Sequence, residues 1–451
     1  MSTTNSGNSS TGHTTAGDVE RTLVRSLGVR SLAASILNVT VGGGIFLVPA
    51  LVAAGLGAAA PIAYVVCSVA FGLIVLCFAE AGSRVSLTGG PYMYVGAVFG
   101  PFVGYVSNVL IFLLGVIAHA AVASAFAQAV NAIVPGLGEG VPRALLIAGV
   151  FAFFAAVNIR GVTQGARMIE VATVAKLLPL VAFVLLGAFA VRTENLVWAR
   201  VPSLTDVGRM SIVLVFAFSG VESALVPSGE VRDSARTVPR AIALAMAAVT
   251  LLYITVQVVA QGILGPELAT AKDAPLATAA RHAFGPAGGL LLLAGALISM
   301  FGYLSGMMLA MPRTIFAFAR DGYLPSALAH VHPVNRVPAR AIVLHAAVVI
   351  ALAITGSFQS LAILSNISAL LLYLLCSAAA LELRRRNVQG EGVPFRVPGG
   401  AVVPVLSMLV ILLLLSNATP KEMLAVGGAL AASMVLYLFR RVPAASAKGP
   451  P

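Results

Sequence analysis

A chain of 451 residues that is 59% hydrophobic and only 10% charged, with a mean hydropathy of +0.98, lies far from the roughly 25% charged residues of ordinary soluble domains. Apolar runs of about 20 residues, enough to cross a hydrocarbon core of roughly 30 Å, recur along nearly all of it, which excludes a large soluble domain and predicts an all-α polytopic membrane protein. The net charge of +12 sits in the loops between these runs without interleaved aromatics, so no nucleic acid partner is expected.

In chain order, residues 1–29 open with the polar low-complexity stretch "MSTTNSGNSSTGHTTAG" and read as a disordered tail. Spans 1 to 5 follow within 30–192, at about 31–55, 59–82, 95–130, 142–158 and 168–191. Spans 6 to 10 lie within 207–386, at about 207–226, 239–264, 286–317, 340–356 and 359–382. Two further spans, about 400–417 and 422–439, occupy 399–441, and 442–451 is a second tail. With both termini in the cytoplasm, 20 of the 28 Lys and Arg fall in or beside inner segments, so that orientation is expected in a multi-pass protein of the inner (cytoplasmic) membrane.

Two spans contradict their own apolar character. "LNVTVGGGIFLVPALVA" carries Gly42, Gly43 and Gly44 at mid-span, and three glycines, each costing a helix about 1 kcal/mol relative to alanine, should break it. In span 6, "VLVFAFSGVESALVPSGE" places Ser219 and Gly220 at mid-span, with Pro227 and Gly229 beyond. The interrupted spans stand first in each group of five, and an odd number of spans per group inverts one group relative to the other. That pattern points to a secondary transporter whose substrate sits where the breaks meet. Backbone groups freed at a break find no partner in lipid. An α-amino acid supplies one: its carboxylate suits free N–H groups near Gly43 to Ile45, and its ammonium suits free carbonyls around Phe216 to Ser219. The competing reading is that the glycines only allow close helix packing.

The segments "VGGGIFLVP", "GGPYMYVGAVFGP", "FAFSGVESA", "EVRDSARTVPRAI" and "RTIFAFARDGYLP" together resemble the amino acid, polyamine and organocation (APC) superfamily of transporters, over about 30–385. The resemblance implies five-plus-five inverted repeats, two accessory spans and substrate held among spans 1, 3, 6, 8 and 10. It directs attention to Val41, Gly42, Gly43, Gly44 and Ile45 in span 1, and to Phe216, Ala217, Phe218, Ser219 and Gly220 in span 6. Within the superfamily, "GPFVGYVSNVL" and "FAFSGVESA" look most like the arginine/agmatine exchangers, in which the aromatic matching Phe216 stacks on substrate and the glutamate matching Glu222 acts in gating. Here Phe216 replaces a tryptophan, His119 stands where an asparagine lines the pocket, and Met307 stands where a tryptophan gates.

Lys176 and Glu222 are ionisable groups deep in apolar spans, where a charge costs about 3 kcal/mol or more. Lys176 either snorkels to an interface or, as the resemblance implies, reaches the broken part of span 1 in place of a sodium ion, with Ser305 as a partner on span 8. Glu222 is either a titratable gate or a carboxyl satisfied by Ser219 or Ser223; His119 is either a pocket donor and acceptor or a satisfied core histidine. Glu230, Arg232, Asp233, Arg236, Arg240 and the run Arg320-Asp321-Gly322 read as inner-gate and loop ion pairs. Cys67, Cys77 and Cys376 have no partners at ligand spacing and read as core, so no metal or cofactor is expected. The function expected is alternating-access transport of an amino acid, coupled to protons and selective for neutral side chains, with basic amino acid or polyamine exchange as the alternative and a homodimer left open. A channel would need a polar lining or a ring of like charge, and a membrane enzyme a clustered acid/base or metal set; the sequence offers neither.

Overall fold

The computed structural model describes residues 28–85, 91–160, 166–224, 231, 233–320, 322–335, 337–389 and 393–438, with side chains except those of 166–175, 223, 224 and 234. Residues 1–27 of the first tail, the whole second tail and Pro227, Gly229, Glu230, Arg232 and Asp321 lie outside these residues, as does the side chain of Ser223. The described residues form the α-helices α1 (Val29–Thr40), α2 (Gly44–Leu56), α3 (Ala60–Arg84), α4 (Pro91–Asn131), α5 (Gly140–Ile159), α6 (Ala166–Gly187) and α7 (Leu204–Phe218). They continue as α8 (Val221–Ala224), α9 (Ser234–Leu264), α10 (Pro275–Arg320), α11 (Ala339–Thr355), α12 (Phe358–Arg385), α13 (Val402–Leu415) and α14 (Pro420–Leu438). With α1 and α2 taken as one interrupted span and α7 and α8 as another, these are the twelve expected spans of an all-α polytopic membrane protein.

The start of span 3 differs from the sequence reading, whereas that of span 8, expected at about 286, agrees with it. Span 3, expected from 95, starts helical at Pro91 but turns at Gly100 (φ 84, ψ 176) before Pro101, so the crossing helix begins there. In α10 the same device recurs: Gly285 (φ 74, ψ −170) precedes Pro286 and separates a leading helix from the crossing one. Only glycine adopts a φ in that region without strain, and the proline that follows starts the next helix with a preset φ. Phe99-Gly100-Pro101 and Phe284-Gly285-Pro286 thus stand at the entry to the third span of each group of five.

α4 and α12 form the centre of the bundle, each 72% buried over its most apolar window, whereas α14 is 11% buried and lies at the periphery. Polar side chains fix helix ends to one another. Arg143 of α5 donates to the carbonyls of Ala353 (2.8 Å) and Gly356 (3.0 Å), placing a cation on the C-terminal dipole of α11. At the opposite end of α12, Glu80 of α3 accepts from Arg84 (2.8 Å), from Arg384 (2.6 Å) and from the Val397 N–H (3.1 Å), all with the carboxylate 1% exposed. A buried carboxylate is tolerable only when its charge is compensated and its lone pairs are occupied, and here both conditions hold.

Candidate functional site

At the first break α1 ends at Thr40, Val41 to Gly43 bend, and α2 starts at Gly44 with no side-chain cap on its N-terminus. At the second, α7 ends at Phe218, Ser219 is extended (φ −68, ψ 153) and Gly220 takes φ 131. The breaks lie against each other. A Cβ on Gly44 would stand 3.0 Å from Phe216 Cδ1 and 3.4 Å from Ala217 Cα, and one on Gly220 would stand 3.2 Å from the Thr40 nitrogen. Backbone passes backbone here with no room for a side chain, which is the reason for glycine at both positions.

The freed carbonyls are accounted for one at a time. Gly42 N–H turns back to Thr40 O (2.8 Å), so the Asn38 carbonyl loses its helical donor, and the Lys176 ammonium donates to it instead. Gly220 N–H turns to Glu222 Oε2 (3.1 Å), which likewise removes the helical donor of the Phe216 carbonyl. The Tyr253 hydroxyl of α9 lies 2.9 Å from both Thr40 O and Ala217 O, so one proton is shared between the last turns of both interrupted helices. Glu222 Oε2 also accepts from Tyr373 of α12 (2.9 Å), whose hydroxyl is 3.2 Å from Ser219 Oγ.

Between the breaks lies a cavity of about 60 Å3, several times the roughly 10–15 Å3 that one water needs by the same measure. Of the expected residues, Gly42, Gly43, Gly44, Phe216, Ser219, Gly220, Glu222 and Met307 line it. Tyr303 of α10, Ser365 of α12 and Gly115 of α4 join them. Val41 and Ile45 are fully buried in the packing and do not reach it. Ala217 contributes backbone against Gly44, and Phe218 packs on Phe71 and Tyr253 at 5.5 and 5.2 Å between ring centroids.

His119 is corrected as a cavity-lining residue and Ser305 as a partner of Lys176. His119 does not line the cavity: its Nδ1 lies 2.9 Å from His345 Nε2 and its Nε2 lies 3.1 Å from the Leu304 carbonyl. Of its two alternatives Lys176, 6% exposed, takes the one the resemblance implied and reaches span 1, donating to the Asn38 carbonyl, with Ser305 not its partner among the described residues. Glu222 is held by Tyr373 and Gly220 and not by the Ser219 hydroxyl, while the Ser223 side chain lies outside the described residues. Tyr253, Tyr303, Tyr373 and His345 escaped the sequence reading. The signal was present: a buried tyrosine or histidine in an apolar span seeks a partner for its polar atom, which for Tyr253 is backbone at the two breaks, for Tyr373 the Glu222 carboxylate and for His345 the His119 ring.

The model of a family described as "Amino acid permease" matches residues 27–439. A serine/threonine exchanger of Bacillus subtilis is 28% identical over 397 residues, covering 86% of this chain and 89% of its own. A methylthioribose transporter of the same organism is 28% identical over 407 residues, covering 86% and 87%. An uncharacterized transporter of Mycobacterium bovis is 31% identical over 443 residues, covering 94% and 93%.

Proposed function

The chain belongs to the amino acid permease family, and we propose that within it the protein is a proton-coupled carrier of small neutral amino acids that binds its substrate between the two breaks. The cavity at the crossing of the breaks carries this reading. Its floor is the uncapped N-terminus of α2, where N–H groups of the first turn lack helical partners and the dipole favours an anion. A substrate carboxylate fits there, close to Gly43 and Gly44. The ammonium then turns to the Phe216 carbonyl, the Ser219 hydroxyl and Glu222. Phe216 and Met307 leave room for a small side chain, and the serine/threonine exchanger among the relatives carries cargo of that size.

Lys176 is the coupling group in this proposal. Its ammonium holds Asn38 at the end of α1, in a place where a cation would repel sodium at short range. A deprotonated lysine holds the carbonyl less strongly, because a charged donor makes the stronger hydrogen bond, so proton loss frees α1 to move. Both termini are cytoplasmic in this arrangement, and the two groups of five spans are inverted repeats, a reading supported by the matching Phe-Gly-Pro turns.

Glu222 on the cavity wall supports a second reading, exchange of a basic amino acid or polyamine. Uptake into empty proteoliposomes separates the two. An inward proton gradient without sodium should drive accumulation of a neutral amino acid, and Lys176→Ala should abolish that drive. A sodium requirement would overturn the role of Lys176, and a strict need for preloaded basic amino acid would favour the exchanger.

A further inference from the structure

His119 of α4 and His345 of α11 form a pair that the transport reading does not use. Both rings are fully buried, nearly parallel at 27° and 5.1 Å apart between centroids. The Leu304 carbonyl can only accept, so His119 Nε2 carries a proton. In the neutral pair His119 Nδ1 is then bare and accepts from His345 Nε2–H across the 2.9 Å contact. That leaves His345 Nδ1 as a bare acceptor, buried and without a partner among the described residues. Such an atom costs roughly 1–3 kcal/mol in a protein interior, and the fold retains it.

We propose that the His119–His345 pair is a proton-binding site that takes one proton at His345 Nδ1 and is linked to the occupancy of the cavity. The step is simple to balance: a proton from water adds to the Nδ1 lone pair, no bond in the protein breaks, and the pair gains one positive charge. The bridging hydrogen can lie on either ring, so the charge spreads over both imidazoles. A second proton is excluded, because it would put hydrogens on both bridging nitrogens 2.9 Å apart.

The position makes this site consequential. Ala118, next to His119, and Tyr303, next to Leu304, both line the cavity, so the pair ties α4, α10 and α11 together just behind its wall. Among the described residues no carboxylate bonds to either ring, and Glu222, on the wall of the same cavity, is held by Tyr373 and the Gly220 N–H. From α10 the facing titratable group is Tyr303, its ring 6.3 Å from that of His119, and from α5 the facing side chain is Phe151 at 4.9 Å. Of the cations on the packed helices, Arg143 bonds to the far end of α11, Arg340 to the Ala327 carbonyl and Arg313 to the Leu309 carbonyl. A charged pair in this dry contact therefore favours any arrangement in which water reaches it. Acidification shifts the protein away from the arrangement described and lowers its affinity for substrate.

The test uses the full-length protein in lipid nanodiscs, labelled with 15N-histidine, and reads ring nitrogen shifts between about pH 8 and pH 5, the range in which histidine charge changes. Of the six histidines, two should titrate as a unit with a single proton, and both signals should change in His345→Gln, whose side-chain amide keeps a donor toward His119. In parallel, equilibrium binding of alanine or serine should weaken up to about tenfold per pH unit on the acid side, the slope of one linked proton. The double variant His119→Gln/His345→Gln, which can keep an amide-to-amide bond and has nothing to titrate, should lose that slope. Two rings that stay neutral throughout would overturn the proposal, as would a double variant with the original pH profile. The nitrogen shifts decide the matter even if none of these amino acids is the substrate.

Discussion

Tyr253→Phe isolates the contact that joins the two breaks. The substitution removes one oxygen and changes no volume in the core, so no cavity penalty enters. It takes the 2.9 Å donor from Thr40 O and from Ala217 O. Thr40 O keeps Gly42 N–H at 2.8 Å, whereas the helical donor of Ala217 O is lost to the break at Ser219 and Gly220. The expected cost is that of one buried carbonyl left unmade, about 1–3 kcal/mol, at the lower end if neighbouring helices relax, as hydrogen bonds between membrane helices average about 0.6 kcal/mol. Because the same proton fixes the position of α1 against α7, part of this cost should appear in substrate affinity, a loss of roughly 5- to 150-fold if all of it does. Thermal unfolding in detergent and equilibrium binding of a radiolabelled neutral amino acid measure the two parts. A variant that matches the wild type in both melting temperature and dissociation constant would refute the bridging role of Tyr253.

Gly44→Ala should impair transport, since its Cβ would stand 3.0 Å from Cδ1 of Phe216, whose ring lines the cavity and packs edge-on against Phe358 and so must shift; overpacking of this kind costs about 1–3 kcal/mol. Normal uptake by that variant would mean that the breaks do not need to touch. Glu80→Ala should destabilise the protein by about 3–5 kcal/mol, because Arg84 and Arg384 are left without their buried partner, and an unchanged melting temperature would show that water already compensates them. Single cysteines at Ser6 and Ser446 in a cysteine-free background should resist an impermeant thiol reagent applied from outside, while one at Gly356 should react; the reverse pattern would invert the orientation.

The breaks could be read in the sequence because glycine and proline act locally: Gly42 to Gly44 and Ser219-Gly220 disfavour a helix whatever surrounds them. The groups that repair the breaks act at long range and left weaker signs. Tyr253 is 213 residues from Thr40, and nothing in "AVTLLYITVQ" says which carbonyl its hydroxyl meets. His119 drew attention as a pocket residue because the resemblance puts it where an asparagine lines the pocket, but its partner His345 sits in another helix 226 residues away. The Glu80, Arg84 and Arg384 cluster was hidden for a different reason. Charges near span ends ordinarily face water, whereas here the backbone of Val388, Phe395 and Val397 bonds to side chains of α3 and helps bury them. The turn at Gly100 shifted the start of span 3 because an apolar run does not record where a helix changes direction.

The claim that substrate lies between the breaks is tested most directly by equilibrium binding to Gly43→Leu. Gly43 lines the cavity, and even a Cβ there would stand 3.1 Å from Met300 and 3.4 Å from Val122, so a leucine must project into the space assigned to the substrate carboxylate. Wild-type protein should bind a small neutral amino acid saturably, and the variant, inserted in the membrane and with a melting temperature near that of the wild type, should not bind it. Wild-type affinity in Gly43→Leu would contradict a site at the start of α2 and move the substrate elsewhere in the bundle.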